Sequence, residues 1–573
     1  VQLKKKPPAE RKVAFILHNN PCASVEATVG GGAHLDTLES AARIMGRMKE
    51  AGYAVDPPEN GKELIDTIME RKAISEFRWT TVDEIVKKGG VLAHVSVDEY
   101  KKWFDMFPEK VRDRMSGAWG YPPGEEVNGV PAAMVYNGKI LVTGVEYGNA
   151  VVCVQPKRGC AGPRCDGRVC KILHDPDVPP PHQYVATYRY LQDTWGADAI
   201  VHIGTHGNLE FLPGKSTALS ESCFPDITIG YLPHLYIYNA DNPPEGTIAK
   251  RRSYATLVDH MQTVMTQGGL YEDLEELDRF LGEYEQVKNI DKGRGHALEH
   301  LIDDSLQKTN LLEGAKLLPD APFEEKARAA HDVLSLTRNT KIQDGMHIFG
   351  ELPEGDRRVD FINSILAYDA GEEVSLRKLI CRLMGIELGD LLIDRGAYSS
   401  FYSKSHGELL EEIDLLGKRF IRQVLSGGDN DSGRVLKDIL GGLLRDESQL
   451  EKIDPIKDKI RDLDTRLNAS KEVEALLSGF EAKYIPAGPS GLITRGRDDI
   501  LPTGRNFYSL DPHRVPTKAA WEVGKKLAAT VIEKHEKEEK NTPENVAIYW
   551  MCSDIMWADG EGMAQIMYLL GVR

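Results

Sequence analysis

The sequence predicts a multidomain α/β protein in which parallel-sheet α/β layers carry a large inserted helical domain. Three observations lead there. Short, fully apolar runs such as "KVAFILH" (12–18) and "ADAIVHIG" (197–204) suit buried parallel strands. Helical stretches with Pro and Gly at the junctions alternate with those runs. From about Gly246 to Phe480 the texture changes to segments such as "LYEDLEELDRFLGEYEQVK", with apolar residues three and four apart and acidic residues between them.

The first strand, 12–18, leads through a loop containing "VGGGAHLDT" to a helix expected from Leu38 to Ala51, with Thr37 as its N-cap and Gly52 closing it. Helical stretches at 61–72, 81–89 and 97–116 continue the layer. In "AMVYNGKILVTGV" (133–145), Asn137-Gly138 between two apolar runs specifies a type I′ hairpin. A strand at 150–155, a cysteine-bearing loop, a helix from about 182 to 195 after Pro179-Pro180-Pro181, and the strand Ala199–Ile203 follow. The connector from Tyr484 to Pro516 is rich in Pro, Gly and Arg and long enough to suggest a functional or irregular segment. A helix (518–534), a strand "NVAIYWM" (545–551) and a helix (561–570) then restore the α/β pattern. The expected division is 1–245 as an α/β domain, 246–480 as a mainly helical domain, 481–517 as the connector, and 518–573 as an α/β segment cut short. No methionine opens the chain and its end follows directly on a helix, so a fragment of a longer polypeptide is expected, with a processed or engineered terminus as the alternative.

The 573 residues exceed what one hydrophobic core organises, which points to about three domains. A formal net charge of -17 argues against nucleic acid or an anionic membrane as partner, because either requires a surplus of Lys and Arg. No apolar run is long enough for a membrane span, and the start "VQLKKKPPAERK" lacks the apolar region of a secretory signal. A cytoplasmic location is expected, and eight cysteines then form no disulfide framework. Cys153, Cys160, Cys165 and Cys170 crowd one loop, but their spacings match no common zinc or iron–sulfur pattern. Free thiols are the default there; a metal or cluster held by the four is the alternative.

Three motifs mislead. "PGKST" lacks a P-loop's first glycine, since Leu209 stands in its place, and Pro213 has no amide to offer a phosphate, so the chain is not expected to bind ATP itself. "HALEH" (296–300) fits a zinc-peptidase pattern with two imidazoles on one helical face, yet no third ligand is evident, and half-exposed histidines are the plainer reading. "VGGGAHL" lacks the order of a dinucleotide loop and reads as a connector, with a ligand-facing loop as the alternative.

The stretch "HIGTHGNLEFLPGK" (202–215) is different. His202 and His206 flank the carboxyl end of a strand, Glu210 follows across a loop, and Gly204 and Gly207 let a bulky group approach the backbone. For a single such residue a core histidine or a surface glutamate is the plainer reading. Two imidazoles, Glu210 and Lys215 together favour a site that moves protons and handles a divalent cation. Lys215 suits a substrate carboxylate. Lys250, Arg251 and Arg252 in "DNPPEGTIAKRRSYA" suit an anionic ligand, or equally a solvated face.

These stretches, together with "VPPPHQY", "LPTGRNFYSLDPHRVPTKAAWEVGKKLA" and "GEGMAQIMYLLGVR", resemble the large subunit shared by aerobic-type cobaltochelatase and magnesium chelatase over nearly the whole chain. The resemblance implies an ATP-dependent chelatase subunit that binds a tetrapyrrole. Two partner subunits, an AAA+ ATPase and its companion, would hydrolyse ATP, and Co²⁺ or Mg²⁺ would be the metal substrate. It implies His206 and Glu210 as bases and transient metal ligands, His202 beside them, Lys215 and His182 as substrate contacts, and Arg505 and Asn506 as substrate or loop-ordering contacts. "GTHGNLEF" and "TIAKRRSYA" resemble the magnesium enzyme; "DPDVPPPHQY" and "GMHIFGELP" resemble the cobalt enzyme. The balance leans to cobalt and a corrin-type ring in cobalamin biosynthesis, with Mg²⁺ and protoporphyrin IX as the alternative. A non-catalytic tetrapyrrole or metal carrier or sensor is a further alternative, and a zinc peptidase ranks last. The cysteine loop departs from what either chelatase leads one to expect.

Overall fold

The computed structural model describes all residues except 1, 20–27, 77–79, 159–176, 205–206, 268–272, 310, 312–320, 339–340, 370–373, 428–430, 496, 510–514, 552–553 and 573. Among the described residues, nine strands build its first part: β1 (Val13–Leu17), β2 (Val91–Val95), β3 (Val135–Tyr136), β4 (Lys139–Thr143), β5 (Val145–Tyr147), β6 (Ala150–Val154), β7 (Ala199–Ile203), β8 (His234–Asn239) and β9 (Thr256–His260). Six of them form one sheet in the order β5-β6-β1-β7-β8-β9, parallel except for β5. Every residue of β1, β6, β7 and β8 is buried, as the uninterrupted apolar runs require of strands covered on both faces.

Five helices position the site: α1 (Thr37–Glu50), α2 (Val97–Phe104), α3 (His182–Arg189), α4 (Pro243–Ser253) and α5 (Glu472–Phe480). One face of the sheet, with Phe15, Leu17, Val201 and Ile237, packs against Ile44 and Met48 of α1 and Leu476 and Phe480 of α5. The other, with Ala14, Ile16, Val151 and Ile200, packs against Tyr100 and Phe104 of α2 and Tyr184 and Tyr188 of α3. The expected α/β class with a helical insertion is therefore the observed one.

Local expectations fare unevenly. The hairpin forms as expected, with Tyr136 paired to Lys139 and positive φ at Asn137 and Gly138. The N-cap of α1 is Asp36, whose side chain takes the Glu39 amide at 3.0 Å, while the Thr37 hydroxyl turns back to the Gly30 carbonyl. The helix expected over 97–116 is two, because Pro108 has no amide to continue the ladder. Strand β2 went unread. It pairs with β4 in a separate three-stranded sheet. The helix beginning at His182 continues into a π turn, Tyr190–Thr194, and so spans the expected 182–195 almost fully.

The boundary expected between 245 and 246 falls inside the α/β unit, since α4 and β9 complete the sheet beyond it and α5 covers it. The helices between β9 and α5 pack into cores of their own, one around Leu281, Ile302 and Leu334 and one around Ile380, Phe420 and Ile460. The connector is not free. Asn506–Phe507 pairs with Ala487–Gly488, and Phe507 fills the space over Gly246 so closely that a Cβ there would collide. The Arg505 carbonyl takes the Asp259 amide at 2.9 Å, which covers the outer strand β9. The strand expected at 545–551 is absent: those residues are mostly exposed, with Tyr549 91% exposed, and no strand among the described residues lies beside them. The flanking helices, Lys518–Glu539 and Glu561–Leu569, are present and pack on each other through Gly524 and Ala564. Among the described residues no helix is long and apolar enough to cross a membrane.

Candidate functional site

The chain leaves β1 for β6 on one side of it and later for β7 on the other, so the sheet reverses its strand order between β1 and β7. In such sheets a crevice opens at that point beyond the carboxyl ends of the strands. The His18 amide bonds the Ile203 carbonyl at 2.9 Å, and the Gly30 amide bonds the His18 carbonyl at 2.8 Å. The glycine loop thus lies across the end of β7. A Cβ on Gly204, whose φ is +115°, would stand 2.5 Å from the Gly31 carbonyl oxygen. "VGGGAHL" is accordingly a connector that closes over the strand end, held there by close backbone approach.

Glu210 lies in a single 3-10 turn, Leu209–Phe211, on the loop after β7. It is 0% exposed, and neither carboxylate oxygen has a hydrogen-bond partner among the described residues. A Cβ on Gly207 would meet Glu210 Oε2 at 2.7 Å and the Tyr236 hydroxyl at 2.9 Å, so only glycine fits between them. The Gly207 amide donates to that hydroxyl. Burial pushes the Glu210 carboxyl up to about 8, with the Glu245 charge adding to the shift and the Glu210 and Gly207 amides and Arg252 opposing it. A carboxyl so placed holds a proton near neutrality and can exchange it with a bound ligand.

His202 faces the same side of the sheet as Tyr236, opposite it in register. Its Nε2 lies 3.0 Å from the Tyr188 hydroxyl, its ring packs edge-on against His234 at 4.5 Å between centroids, and its Nδ1 has no partner among the described residues. Burial, reinforced by the neighbouring imidazoles, holds it well below the ordinary histidine range, so it is neutral. His206 lies outside the described residues.

The other residues singled out from sequence take varied places. Lys215 and Arg251 are exposed. Lys250 donates to the Phe507 carbonyl at 2.8 Å. Arg252 is spent on the loop itself, donating to the carbonyls of Glu210 at 2.6 Å, Gly214 at 3.3 Å, Leu212 and Lys215. His182 is buried with both ring nitrogens engaged, Nδ1 3.0 Å from the Tyr100 hydroxyl and Nε2 2.9 Å from the Gly120 carbonyl. Arg505 donates to the carbonyls of Asp499 and Ile500, and the Asn506 side chain accepts the Leu257 amide at 3.2 Å. These five engage protein partners; among the described residues singled out from sequence, His202 and Glu210 are the ones near the end of β7. Cys153 is buried in β6, its thiol pushed up to about 12 by burial, then by Glu146. Cys160, Cys165 and Cys170 lie outside the described residues. Among the described residues no group of three or more His, Cys, Asp or Glu is arranged to hold a metal ion. The His296 and His300 rings meet edge to face, 4.7 Å between centroids, with His296 Nδ1 3.1 Å from Glu299.

Several buried polar residues went unread. Asp259 is fully buried and receives the Gly504 and Arg505 amides at 2.8 and 2.7 Å; burial pushes its carboxyl up to about 7 against those two bonds. Glu472 receives the Met261 and Gly350 amides, the Thr503 hydroxyl and His347 Nε2. Asn19, Gln155 and Asp241 stand just past strand ends, a position that could have flagged them.

A family model described as CobN/Magnesium Chelatase matches residues 1–573. The chain is 50% identical to an uncharacterized protein of Methanocaldococcus jannaschii, covering 100% of this chain and 45% of that one. It is 31% identical to the aerobic cobaltochelatase subunit CobN of Pseudomonas aeruginosa, with 100% and 44% covered. To the chloroplastic magnesium-chelatase subunit ChlH of Oryza sativa subsp. japonica it is 28% identical, with 100% and 41% covered. Among solved structures, the catalytic subunit of cobaltochelatase from Mycobacterium tuberculosis matches with a TM-score of 0.79 and 28% identity, covering 100% of this chain and 45% of that one. The chain thus spans less than half the length of these relatives.

Proposed function

We propose a metal-inserting function from one premise: this chain belongs to the CobN/Magnesium Chelatase family. In this reading the chain is part of the large subunit of an ATP-dependent chelatase of the cytoplasm, and it binds a tetrapyrrole and inserts a divalent metal ion. Insertion must strip two N–H protons from a stiff ring while a dehydrated cation enters. The observation that carries the reading is Glu210, a fully buried carboxyl with no hydrogen-bond partner among the described residues, on the loop after β7, the strand at which the strand order reverses. Raised to about 8, that carboxyl exchanges a proton close to neutrality, so once it has released its own it can take one from the ring. His206, four residues before Glu210 in the sequence, is proposed as its companion in proton transfer and transient metal contact. His202, neutral and hydrogen-bonded to Tyr188, braces the strand end.

Cobalt and a corrin-type ring are favoured by 31% identity to a cobaltochelatase subunit and by the solved cobaltochelatase subunit that matches this chain along its length. The 28% identity to a magnesium-chelatase subunit at equal coverage of this chain supports Mg²⁺ and protoporphyrin IX as the second reading. ATP hydrolysis is assigned to an AAA+ subunit and its companion, because before "GKST" Leu209 stands where a phosphate loop has its first glycine and Pro213 has no backbone amide to offer a phosphate. The test is metal insertion in a reconstituted assay with partner subunits. Glu210→Gln is expected to abolish insertion while ring binding, followed by fluorescence quenching, persists. Wild-type insertion by that variant would remove Glu210 from the mechanism. Ring binding by the wild type without insertion would identify a carrier instead.

A further inference from the structure

Three carboxamides stand at the carboxyl ends of neighbouring strands: Gln155 just after β6, Asn19 just after β1, and Asn239 closing β8. None is more than 2% exposed. In each the oxygen is already engaged. Gln155 Oε1 accepts from the Tyr188 hydroxyl at 3.2 Å, Asn19 Oδ1 from the Thr28 hydroxyl at 2.7 Å, and Asn239 Oδ1 from the Asp241 amide at 3.2 Å. A backbone amide can only donate, so at Asn239 the oxygen must be the atom that faces it. In each, by contrast, the NH₂ group finds no acceptor among the described residues.

The strand register places them. Leu17 is opposite Val154 on one side and Ile203 on the other, and Ile203 is opposite Ile237. Two residues further on, Asn19 and Asn239 come level with one another across the width of β7, roughly 10 Å apart at the usual strand spacing. Gln155, one strand beyond and level with His18, turns to the opposite face of the sheet, toward Tyr188, so the three amides straddle the carboxyl end of the sheet over roughly 15 Å. Buried donors normally find partners, because an unpaired one forfeits its hydration for nothing. Three of them, with one polarity and at one end of the sheet, are matched by a ligand that carries acceptors on its rim. Lys157, 3% exposed and two residues beyond Gln155, adds an ammonium-bearing side chain at the same end.

We infer that Gln155, Asn19 and Asn239 form a subsite that takes carboxylate groups on the periphery of the bound ring. This rests on the tetrapyrrole reading above and deepens it: the ligand is a ring bearing several carboxylates, held along one edge by neutral amide donors while Glu210 faces its interior.

The test is a fluorescence-quenching titration of the whole chain with two porphyrins, one carrying eight carboxylates and one carrying two. The wild type binds the octacarboxylate about tenfold or more tightly, and Gln155→Met and Asn239→Asp each lower that affinity about tenfold. Asn239→Asp keeps the oxygen that receives the Asp241 amide and replaces only the donor. Affinity for the dicarboxylate changes by less than about threefold, since fewer of its arms reach the three amides. Variants with wild-type melting temperatures that keep both the affinity and the preference would overturn the assignment. If neither variant folds, the wild type decides alone, and equal affinity for the two rings overturns it. Binding of neither ring to the wild type would instead remove the tetrapyrrole reading, and the subsite with it.

Discussion

Arg252 donates from Nε to the carbonyl oxygen of Glu210 at 2.6 Å, and so grips the backbone of this residue and not its carboxyl. Its remaining nitrogens reach three further carbonyls of the same loop, between Leu212 and Lys215. A basic residue that suggests an anion in the sequence is, in the fold, the clamp on the proposed base.

Loosening that clamp should slow the chemistry more than it weakens ring binding. Arg252→Ala frees four carbonyls, and displacement of Glu210 by an ångström lowers turnover by about 100-fold. Arg252→Lys should not rescue it, because one ammonium cannot reproduce the planar fork. The expected result is a fall in kcat of metal insertion with Kd for the ring near wild type. Rescue by lysine, or a loss confined to Kd, would count against the clamp.

Glu210 should make stability depend on pH in a direction opposite to most carboxylates. Its folded value, raised by burial first and Glu245 second to about 8, exceeds the ordinary 4.5. Between those values the folded state holds a proton that the unfolded state releases. Stability therefore falls as pH climbs from 4.5 to about 8, by on the order of 3–5 kcal/mol from this group. Glu210→Gln removes the slope. Denaturant titrations at pH 5 and pH 9 should show the variant gaining on the wild type at the higher pH, and parallel behaviour at both would refute the burial of an unpaired acid.

What the sequence displayed and what it hid divide along contact distance. The strand 12–18, the Asn137-Gly138 turn and the strand Ala199–Ile203 are written in neighbouring residues, and each appears where its pattern lies. Glu210 was visible because a strand end and two glycines flag the loop that carries it. Pro108 was equally visible and should have divided the helix around it. Asp259 and Glu472 were not legible. Their partners lie 245 and 211 residues away, and nothing in "LVDHMQ" or "KEVEAL" marks the acid as anything but a strand residue and a helix start. The run "NVAIYWM" failed the other way, having strand chemistry with no neighbouring strand to pair with among the described residues.

His182 is expected to matter for folding and not for the ring. Its Nδ1 and Nε2 are used by Tyr100 and Gly120, and its ring sits edge-on to Phe104 at 5.4 Å. His182→Ala should cost about 2–4 kcal/mol through the lost bonds and the space left behind. Burial lowers this imidazole to about 4, against the Gly120 bond, so acid between pH 6.5 and about 4 favours the unfolded chain. Ring affinity per folded molecule should be unchanged. A selective loss of ring binding with wild-type stability would return His182 to the site.

Glu472 makes the strongest structural prediction. Its Oε2 lies 2.8 Å from His347 Nε2 and 2.7 Å from the Gly350 amide, and its Oε1 receives the Met261 amide at 3.0 Å and the Thr503 hydroxyl at 2.7 Å. One buried carboxylate thus joins the end of β9, the return from the helical insertion, the loop before Arg505, and its own helix α5. His347 in turn donates its amide to the His34 carbonyl at 2.8 Å, which fixes the far end of the glycine loop. Burial alone would raise this acid, but the His347 charge, its hydrogen bond and the His260 charge outweigh it and hold the carboxyl at about 2. The stability it supplies is complete above the ordinary 4.5 and is lost as pH falls through about 2. Glu472→Ala strands four donors in the interior and should cost about 3–5 kcal/mol. Glu472→Gln can still accept the Met261 amide and the Thr503 hydroxyl but sets an NH₂ against the Gly350 amide, so it should recover about half of that loss. Its unfolding curve should also lack the decline between pH 4.5 and 2 that the wild type shows. An alanine variant as stable as the wild type would mean that these four segments are held together by something other than this carboxylate.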